Sequence, residues 1–438
     1  MQDTRQRTFS KDIYIADAAR TPFLKARGVP GEFAASDLAV SVCKELLLRN
    51  NIEPKNIDQV VAGCMLPLSN EANIARLIAL RLGCGDKVPG WTVQRNCASG
   101  MQALDSAAQS IELSQYGLVL AGGTEVMSRS PLLYSLEMNE WLGRLRLSKT
   151  FAQKVSTAMQ FRPRLLTPII ALLQGLSDPY KGLSMGQTAE ELAYEFNIKR
   201  KEMDEFSLDS QRKSLYARDN AKFETEIVPL FSPSGKLYRH DDGIREDVNV
   251  DKLAKLKPVF DRYGNITAGN SSQITDGASF MLLASKDAVE KYNLKVRGII
   301  KDIAWSALDP SKMGLGPAHA MVDLLTRNSM SISDIDYFEI NEAFAAQVIA
   351  CLKSWQDEKY CKDYLGLDSV YGSIPEDRLN IDGGAIALGH PVSATGARIS
   401  THILNILERK EARYGVASLC IGGGQGGAVL IERVGGLK

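Results

Sequence analysis

Short apolar runs punctuate the chain and predict strands at Ile13–Ala16, Gln59–Gly63, Val93–Asn96, Leu118–Gly122, Ser279–Ala284, Val296–Ala304, Tyr337–Ile340, Tyr414–Leu419 and Ala428–Glu432. Between several of them the hydrophobic period changes to that of a helix. Met101, Leu104, Ala108 and Ile111 mark one helical face after Cys97, and Ile399, Ile403, Ile406 and Leu407 mark another after His390. Strands alternating with helices predict an α/β fold. Ile57-Asp58 ahead of one apolar strand recurs as Ile335-Asp336 ahead of another, and each half then turns into a long helix. That repetition predicts an internal duplication.

From about Thr124 to Pro258 this rhythm breaks, and the segment reads as an insertion. Its stretch Trp141 to Leu176 carries Arg144, Arg146, Lys149, Lys154, Arg162 and Arg164 with no acidic residue between them. Pro163 and Pro168 rule out a single long helix there. Helical spacing returns at Thr188–Phe196 and Lys201–Ala221.

Composition narrows the function classes. With 438 residues, 45% of them hydrophobic, the chain can bury a large core over two or three domains. Lys+Arg and Asp+Glu each total 52, which argues against a broad nucleic-acid surface. A charged ligand must then be held by local positive charge. The polar start, Met1 to Asp12, has no apolar core of a secretory leader, and runs such as Leu165–Leu173 are shorter than the ~20 residues that span a bilayer. Seven cysteines without a CxxC pair suggest reduced thiols and a cytoplasmic location. His240, His319, His390 and His402 lack zinc-ligand spacing, so no metal is expected.

Four motifs can carry chemistry. In Gln94-Arg95-Asn96-Cys97-Ala98-Ser99-Gly100, a cysteine stands between a strand and a helix start, where the helix dipole favours thiolate; the bland alternative is a small buried cysteine. In Gly383-Gly384-Ala385-Ile386-Ala387-Leu388-Gly389-His390-Pro391, a glycine-flanked turn holds a histidine, the natural base for a cysteine nucleophile, or else a capping histidine. In Cys420-Ile421-Gly422-Gly423-Gly424-Gln425-Gly426-Gly427, the spacing formally matches G-x-G-x-x-G. A strand rather than a helix follows, so a dinucleotide site is rejected in favour of backbone N–H groups that can approach a developing oxyanion. In Asn341-Glu342-Ala343-Phe344-Ala345-Ala346-Gln347, an amide ends a strand, either to polarise a carbonyl or to cap the next helix.

Together these motifs closely resemble the signatures of the thiolase family. The resemblance extends over essentially the whole chain, through Arg20-Thr21-Pro22-Phe23, Met185-Gly186-Gln187-Thr188-Ala189-Glu190 and Thr267-Ala268-Gly269-Asn270-Ser271-Ser272. It implies two duplicated α/β halves with five-stranded mixed sheets in a layered αβαβα arrangement, plus an inserted loop domain. On that basis residues 1–124 and 259–285 form the N-terminal half, 125–258 the loop domain covering coenzyme A, and 286–438 the C-terminal half.

The resemblance also implies roles. Cys97 takes the acyl group and His390 accepts its proton. Cys420 deprotonates the second thioester or protonates the leaving acetyl-CoA carbanion. Asn341, through a water, and His390 form one oxyanion hole, and the N–H groups of Cys97 and Gly422 the other. Ser272, Met185 and Phe344 match positions lining the pantetheine channel. The implied activity is thiolytic cleavage of a 3-ketoacyl-CoA to acetyl-CoA and a shortened acyl-CoA, or the reverse Claisen condensation, by a ping-pong route. Coenzyme A and acyl-CoA are substrates, with no tightly bound cofactor. A homodimer or homotetramer is expected.

The basic insert resembles the thiolase subunit of the fatty-acid oxidation trifunctional complex, which implies a hydratase/dehydrogenase subunit or a membrane surface as partner of 141–176. Asn341 and the CIGGG wording depart from that group, which usually has His in the Asn341 slot, and this puts that partner and the chain-length preference in doubt. A short-chain biosynthetic acetoacetyl-CoA thiolase is one alternative. A ketoacyl synthase or hydroxymethylglutaryl-CoA synthase is disfavoured by Cys420. A non-catalytic CoA- or lipid-binding scaffold is disfavoured by the presence of all four motifs.

Overall fold

In the computed structural model, which describes residues 9–435, nine strands form one continuous mixed sheet. They are β1 (Ile13–Arg20), β2 (Gln59–Gly63), β3 (Gly90–Val93), β4 (Leu118–Val126), β5 (Thr275–Ala284), β6 (Gly298–Ala307), β7 (Tyr337–Ile340), β8 (Tyr414–Ile421) and β9 (Gln425–Arg433). The spatial order is β7-β8-β9-β6-β1-β5-β4-β2-β3, with the two-residue strand Leu24–Lys25 beside β5. The first eight residues of the polar start lie outside the described residues.

The duplication is visible strand by strand. In the first half β1, β5 and β4 are antiparallel neighbours, and β2 and β3 continue in parallel. In the second half β6, β9 and β8 repeat the antiparallel run and β7 the parallel step. Where a fifth strand would lie, only Leu379 bridges to Phe338. Asn380, at φ +45°, turns the chain away there, and its side chain takes over the ladder. Its Oδ1 accepts from the Ile340 N–H and its Nδ2 donates to the Ile340 carbonyl, both at 2.9 Å. The halves meet where Ile13–Ile15 pair with Gly298–Ile300.

The repeated Ile-Asp pairs do the same work in each half. Asp58 Oδ2 accepts from the N–H groups of Gly117 and Leu118, as Asp336 Oδ2 accepts from those of Arg413 and Tyr414. Both central strands are also bulged one residue before an aspartate. Asp17 accepts from the Ala18 N–H and pairs with Arg297, while Asp302 accepts from the Ile303 N–H and pairs with Arg327. A bulge sharpens the local twist, here at equivalent points of the two halves.

Six helices complete the layers: α1 (Ala35–Arg49), α2 (Ile74–Leu82), α3 (Ser99–Glu112), α4 (Gly316–Arg327), α5 (Ala345–Ser354) and α6 (Val392–Arg409). Helices α1 and α2 cover the outer face of the first half, where Leu38, Val42, Leu46 and Ile78 join a core with Leu118, Leu120, Phe280 and Leu282. Helices α4 and α5 cover the outer face of the second half. Between the halves lie α3 and α6, whose Met101, Leu104, Ile399 and Ile403 share a core with Val119, Met281, Leu283, Leu419 and Val429. The sheet residues alternate between outer and central cores, so both faces are buried. That is why the strands read in the sequence as unbroken apolar runs.

The central layer closes by backbone contact. A Cβ on Gly100 of α3 would lie 2.6 Å from the Ser393 carbonyl of α6, and one on Gly396 would lie 2.7 Å from Met101. On β4, a Cβ at Gly123 would sit 1.9 Å from the same Ser393 carbonyl. Only hydrogen fits at these positions. The N-terminal turns of α3 and α6 therefore touch each other and the sheet.

Residues 127–274 run from β4 to β5. They hold the helices Leu136–Leu147, Phe151–Met159, Met185–Glu195 and Arg200–Asp219, with the break at Pro163 that its ring demands. Buried ions tie this segment to both halves. Arg20 binds Asp241 with both guanidinium amines and Glu226 through Nε, and Glu226 also accepts from His402 Nδ1 at 2.8 Å. Although burial opposes its charge, the Glu226, Asp382 and Glu339 carboxylates push the pKa of His402 up to about 10. Removing one partner of such a set costs about 3–5 kcal/mol.

Gly123→Ala is expected to destabilise the protein by about 3 kcal/mol or more, because its methyl has no space beside Ser393. Gly143→Ala, on an open helix surface, should leave the melting temperature unchanged or slightly raised. Thermal unfolding of the two variants beside the parent checks the contrast; equal melting temperatures would refute it.

Candidate active site

Cys97 follows β3, two residues before α3 begins, and is half-buried. The turn that carries it is internally braced: the Arg95 N–H donates to Ser99 Oγ, which donates to the Asn96 carbonyl. His390 sits two residues before α6, and its own N–H donates to the Gln273 carbonyl at 3.0 Å. Contact between the starts of the two helices thus brings nucleophile and imidazole to one cavity. Cys420 and Gly422 lie at the β8–β9 hairpin.

All four residues line one cavity of about 640 Å³. Met185, Ser272 and Phe344 line it too, as expected. Phe260 packs edge-on against Phe344, and its ring lies where a Cβ on Gly186 would be, so the Met185-Gly186 helix start is fitted to that wall. Met127, Leu173, Leu176, Met313 and Val392 make much of the remainder apolar.

Asn341 does not line the cavity. It is wholly buried just past β7, where its N–H donates to the carbonyl of Ser418, two residues from Cys420. Neither polar atom of its side chain has a hydrogen-bond partner. The bland cap reading fails, because α5 begins at Ala345 with Phe344 as its N-cap. Glu342, also buried, clamps the histidine loop by accepting from Asn380 Nδ2, Ser210 Oγ and the Ile386 N–H.

The electrostatics correct one sequence expectation. Burial pushes the Cys97 thiol up to about 11, although the N–H groups of Gly422 and of Cys97 itself pull it down. Helix placement alone does not make a resting thiolate. Burial, then the Arg398 charge, holds His390 down at about 3, so its imidazole is neutral at pH 7. Cys420 is raised well above the usual thiol value by burial and then by Cys97, so the two sulfurs sense each other. Thr395 Oγ donates to the Pro391 carbonyl and lies 2.6 Å from His390 Nδ1. With the Thr395 hydrogen on that carbonyl, Nδ1 carries the proton and Nε2 keeps its lone pair. The site can then move a proton from sulfur to Nε2 only as the sulfur attacks.

Sequence reasoning missed Thr395, and also Glu125, a buried carboxylate that accepts from Ser393 Oγ and from the N–H groups of Met65 and Leu66. It also missed Lys25 and Arg245, which add positive charge to the cavity wall. Burial, then the charges of Arg245 and Arg27, lowers the Lys25 pKa.

Alkylation of Cys97 by iodoacetamide should therefore accelerate steadily from pH 6 to above pH 9, without a step from His390 near its ordinary value of about 6.5. Rates from peptide mass mapping decide this. A plateau reached by pH 7 would mean a resting thiolate.

The descriptions "Thiolase, N-terminal domain" and "Thiolase, C-terminal domain" match residues 13–287 and 294–433. Proteins named probable acetyl-CoA acyltransferase from Staphylococcus epidermidis and Staphylococcus aureus are 37% and 36% identical over 425 residues, 96% of this chain and 98% and 99% of theirs. Among solved structures, the Bacillus anthracis acetyl-CoA acetyltransferase superposes with a TM-score of 0.83 at 34% identity, covering 97% of this chain and 99% of that one. Human mitochondrial 3-ketoacyl-CoA thiolase in complex with CoA gives 0.84 at 33% identity, covering 98% and 100%. Matched family descriptions over nearly its whole length, close relatives and a shared fold place the chain in one family: it belongs to the thiolases.

Proposed function

We propose that this chain is an acetyl-CoA acyltransferase that cleaves 3-ketoacyl-CoA with coenzyme A through an acyl-Cys97 intermediate, and can run the reverse condensation. The observation that carries this reading is the joint lining of one apolar cavity by Cys97, His390, Cys420 and Gly422. Cys97 Sγ attacks the 3-keto carbon as its proton passes to His390 Nε2. The bond between C2 and C3 breaks, and the electron pair on C2 takes the Cys420 proton to give acetyl-CoA. Free CoA then enters, gives its thiol proton to Cys420, and its sulfur attacks the acyl thioester. Cys97 leaves and recovers its proton from His390.

Each developing oxyanion would have its own donors. The N–H groups of Cys97 and Gly422 serve the acyl group on Cys97. The buried, unpaired amide of Asn341 supports a role, through a water, at the other thioester carbonyl, together with His390. One such donor is worth about 3–4 kcal/mol in acyl-transfer enzymes. Ser272, Met185 and Phe344 would guide the pantetheine, with Lys25 and Arg245 supplying charge for the CoA phosphates. The insert, expected at 125–258 and lying between β4 and β5 at 127–274, is then the loop domain over the CoA.

A degradative role in fatty-acid oxidation is the reading we favour over a four-carbon biosynthetic one, because Leu173, Leu176, Met127 and Val392 offer an acyl chain apolar wall. The 141–176 face suits docking to a membrane surface or a hydratase/dehydrogenase subunit: Leu147, Phe151 and Met159 are exposed beside Arg144, Arg146 and Lys154. The edge strand β3, open on one side with Trp91 exposed, suits pairing in a homodimer. Seven free thiols fit a reducing cytoplasm.

Incubation with saturated 3-ketoacyl-CoAs of four to sixteen carbons, read by intact-mass spectrometry and thiolysis rate, tests the proposal. The parent should acquire an acyl adduct on Cys97 and turn over faster on longer chains. Cys97→Ala should form no adduct. Cys420→Ser should still be acylated by a simple acyl-CoA, yet lose thiolysis by at least ~10³-fold. Full turnover by either variant would end the proposal.

A further inference from the structure

The oxyanion donor Gly422 lies in a three-glycine turn that is packed at Gly422 and Gly424 but open at Gly423. Gly422, Gly423 and Gly424 follow one another between β8 and β9, with Gly423 at φ +91° and Gly424 at φ +75°. Such residues have the widest conformational range of any, and Gly423 is exposed with no neighbour within 4 Å of where its Cβ would be. Two hydrogen bonds from outside the hairpin restrain the turn. The Leu308 N–H donates to the Gly424 carbonyl at 2.8 Å. The other comes from Asn96, whose Nδ2 donates to the Gly422 carbonyl at 2.7 Å.

Asn96 is itself held. It lies at φ +45°, a region that asparagine tolerates better than other residues with a side chain. Its carbonyl accepts from Ser99 Oγ at 2.7 Å and from the Ser99 N–H at 3.1 Å. The left-handed turn lets the side chain reach the glycine turn while the next residue presents its sulfur to the cavity.

We infer that Asn96 is a positioning residue that fixes the Gly422 N–H against the acyl group on Cys97, coupling the nucleophile loop to the glycine turn. Gly422's carbonyl and N–H lie on either side of one Cα, so pinning the carbonyl limits the swing of the N–H. The nucleophile and its oxyanion donor, 325 positions apart in the chain, then move as one body. The N–H of Gly422 already bears on the Cys97 sulfur, lowering its pKa against the effect of burial. This inference rests on Cys97 being the acyl carrier, which Cys97→Ala tests separately.

Two variants isolate the donor. Asn96→Gly fits the positive φ but removes the amide, and Asn96→Asp keeps size and turn preference but faces the carbonyl with an acceptor. In each, kcat is expected to fall about 10- to 100-fold, a fraction of the loss seen when an oxyanion donor is deleted outright. KM for acyl-CoA should change by less than about threefold, because the amide is turned to the Gly422 carbonyl and does not line the cavity. The pH profile of Cys97 alkylation should move upward by about half a unit or more, because the thiolate loses its N–H donor. A merely structural asparagine would lower the melting temperature without moving that profile. Folded variants with kcat within twofold of the parent, or with the loss confined to KM, would overturn the inference; if Asn96→Gly does not fold, Asn96→Asp gives the same readout.

Discussion

The contact between the first turns of α3 and α6 sets the geometry of everything else. It is a backbone contact, closed at Gly100, Gly396 and Gly123, where a methyl group would meet a carbonyl or a main chain. Helices carrying side chains there would stand farther apart. Cys97 lies just ahead of one helix and His390 just ahead of the other, so the spacing of sulfur and imidazole follows from the packing of glycines. The duplicated fold supplies the symmetry behind this. Each half contributes one central helix, and each helix start points to the same end of the sheet as the parallel strands β2 and β7, where Asn341 also lies.

The chemistry depends on burial more than on the helix dipole. The same apolar packing that excludes water raises both thiols and lowers His390. A neutral thiol and a neutral imidazole leave the reacting groups themselves uncharged at rest. Charge appears only as a bond to carbon forms, where the N–H groups of Cys97 and Gly422 can meet it. Preorganised donors in a dry site act at that moment without reorganising, which is why restraint of a glycine turn by one asparagine can matter to the rate. Thr395, 2.6 Å from His390 Nδ1, likewise holds the imidazole in place before substrate arrives.

Much of this was legible in the sequence where the signal is local. Strands buried on both faces, such as β5 with Phe280 and Leu282 outward and Met281 and Leu283 inward, announce themselves as apolar runs. The recurring Ile-Asp pair was a true mark of duplication, because each aspartate caps the same strand start. Edge strand β3 lies three residues before its predicted span, because exposed Trp91 hides its pattern and Asn96 bends the chain beyond it. The helix read from Thr188 begins at Met185, where Ser184 and Gln187 cap each other, a pairing the sequence does display. The thiol's pKa was misjudged because burial, a tertiary quantity, outweighs placement at a helix start. Lys25 and Arg245 escaped because they meet only through the fold: Asp241 binds Arg20 and the Phe23 N–H, and so folds its loop back along the first strand's end.

The central claim is that residues far apart in the chain share one reaction space, and the most direct test is chemical. Dibromobimane bridges two thiols only when they lie within a few ångströms of a common point. On the native protein, peptide mapping should recover the fragment of Cys97 joined to that of Cys420, and prior acylation of Cys97 should prevent the link. Recovery of both cysteines as separate, singly alkylated fragments under native conditions would contradict the account.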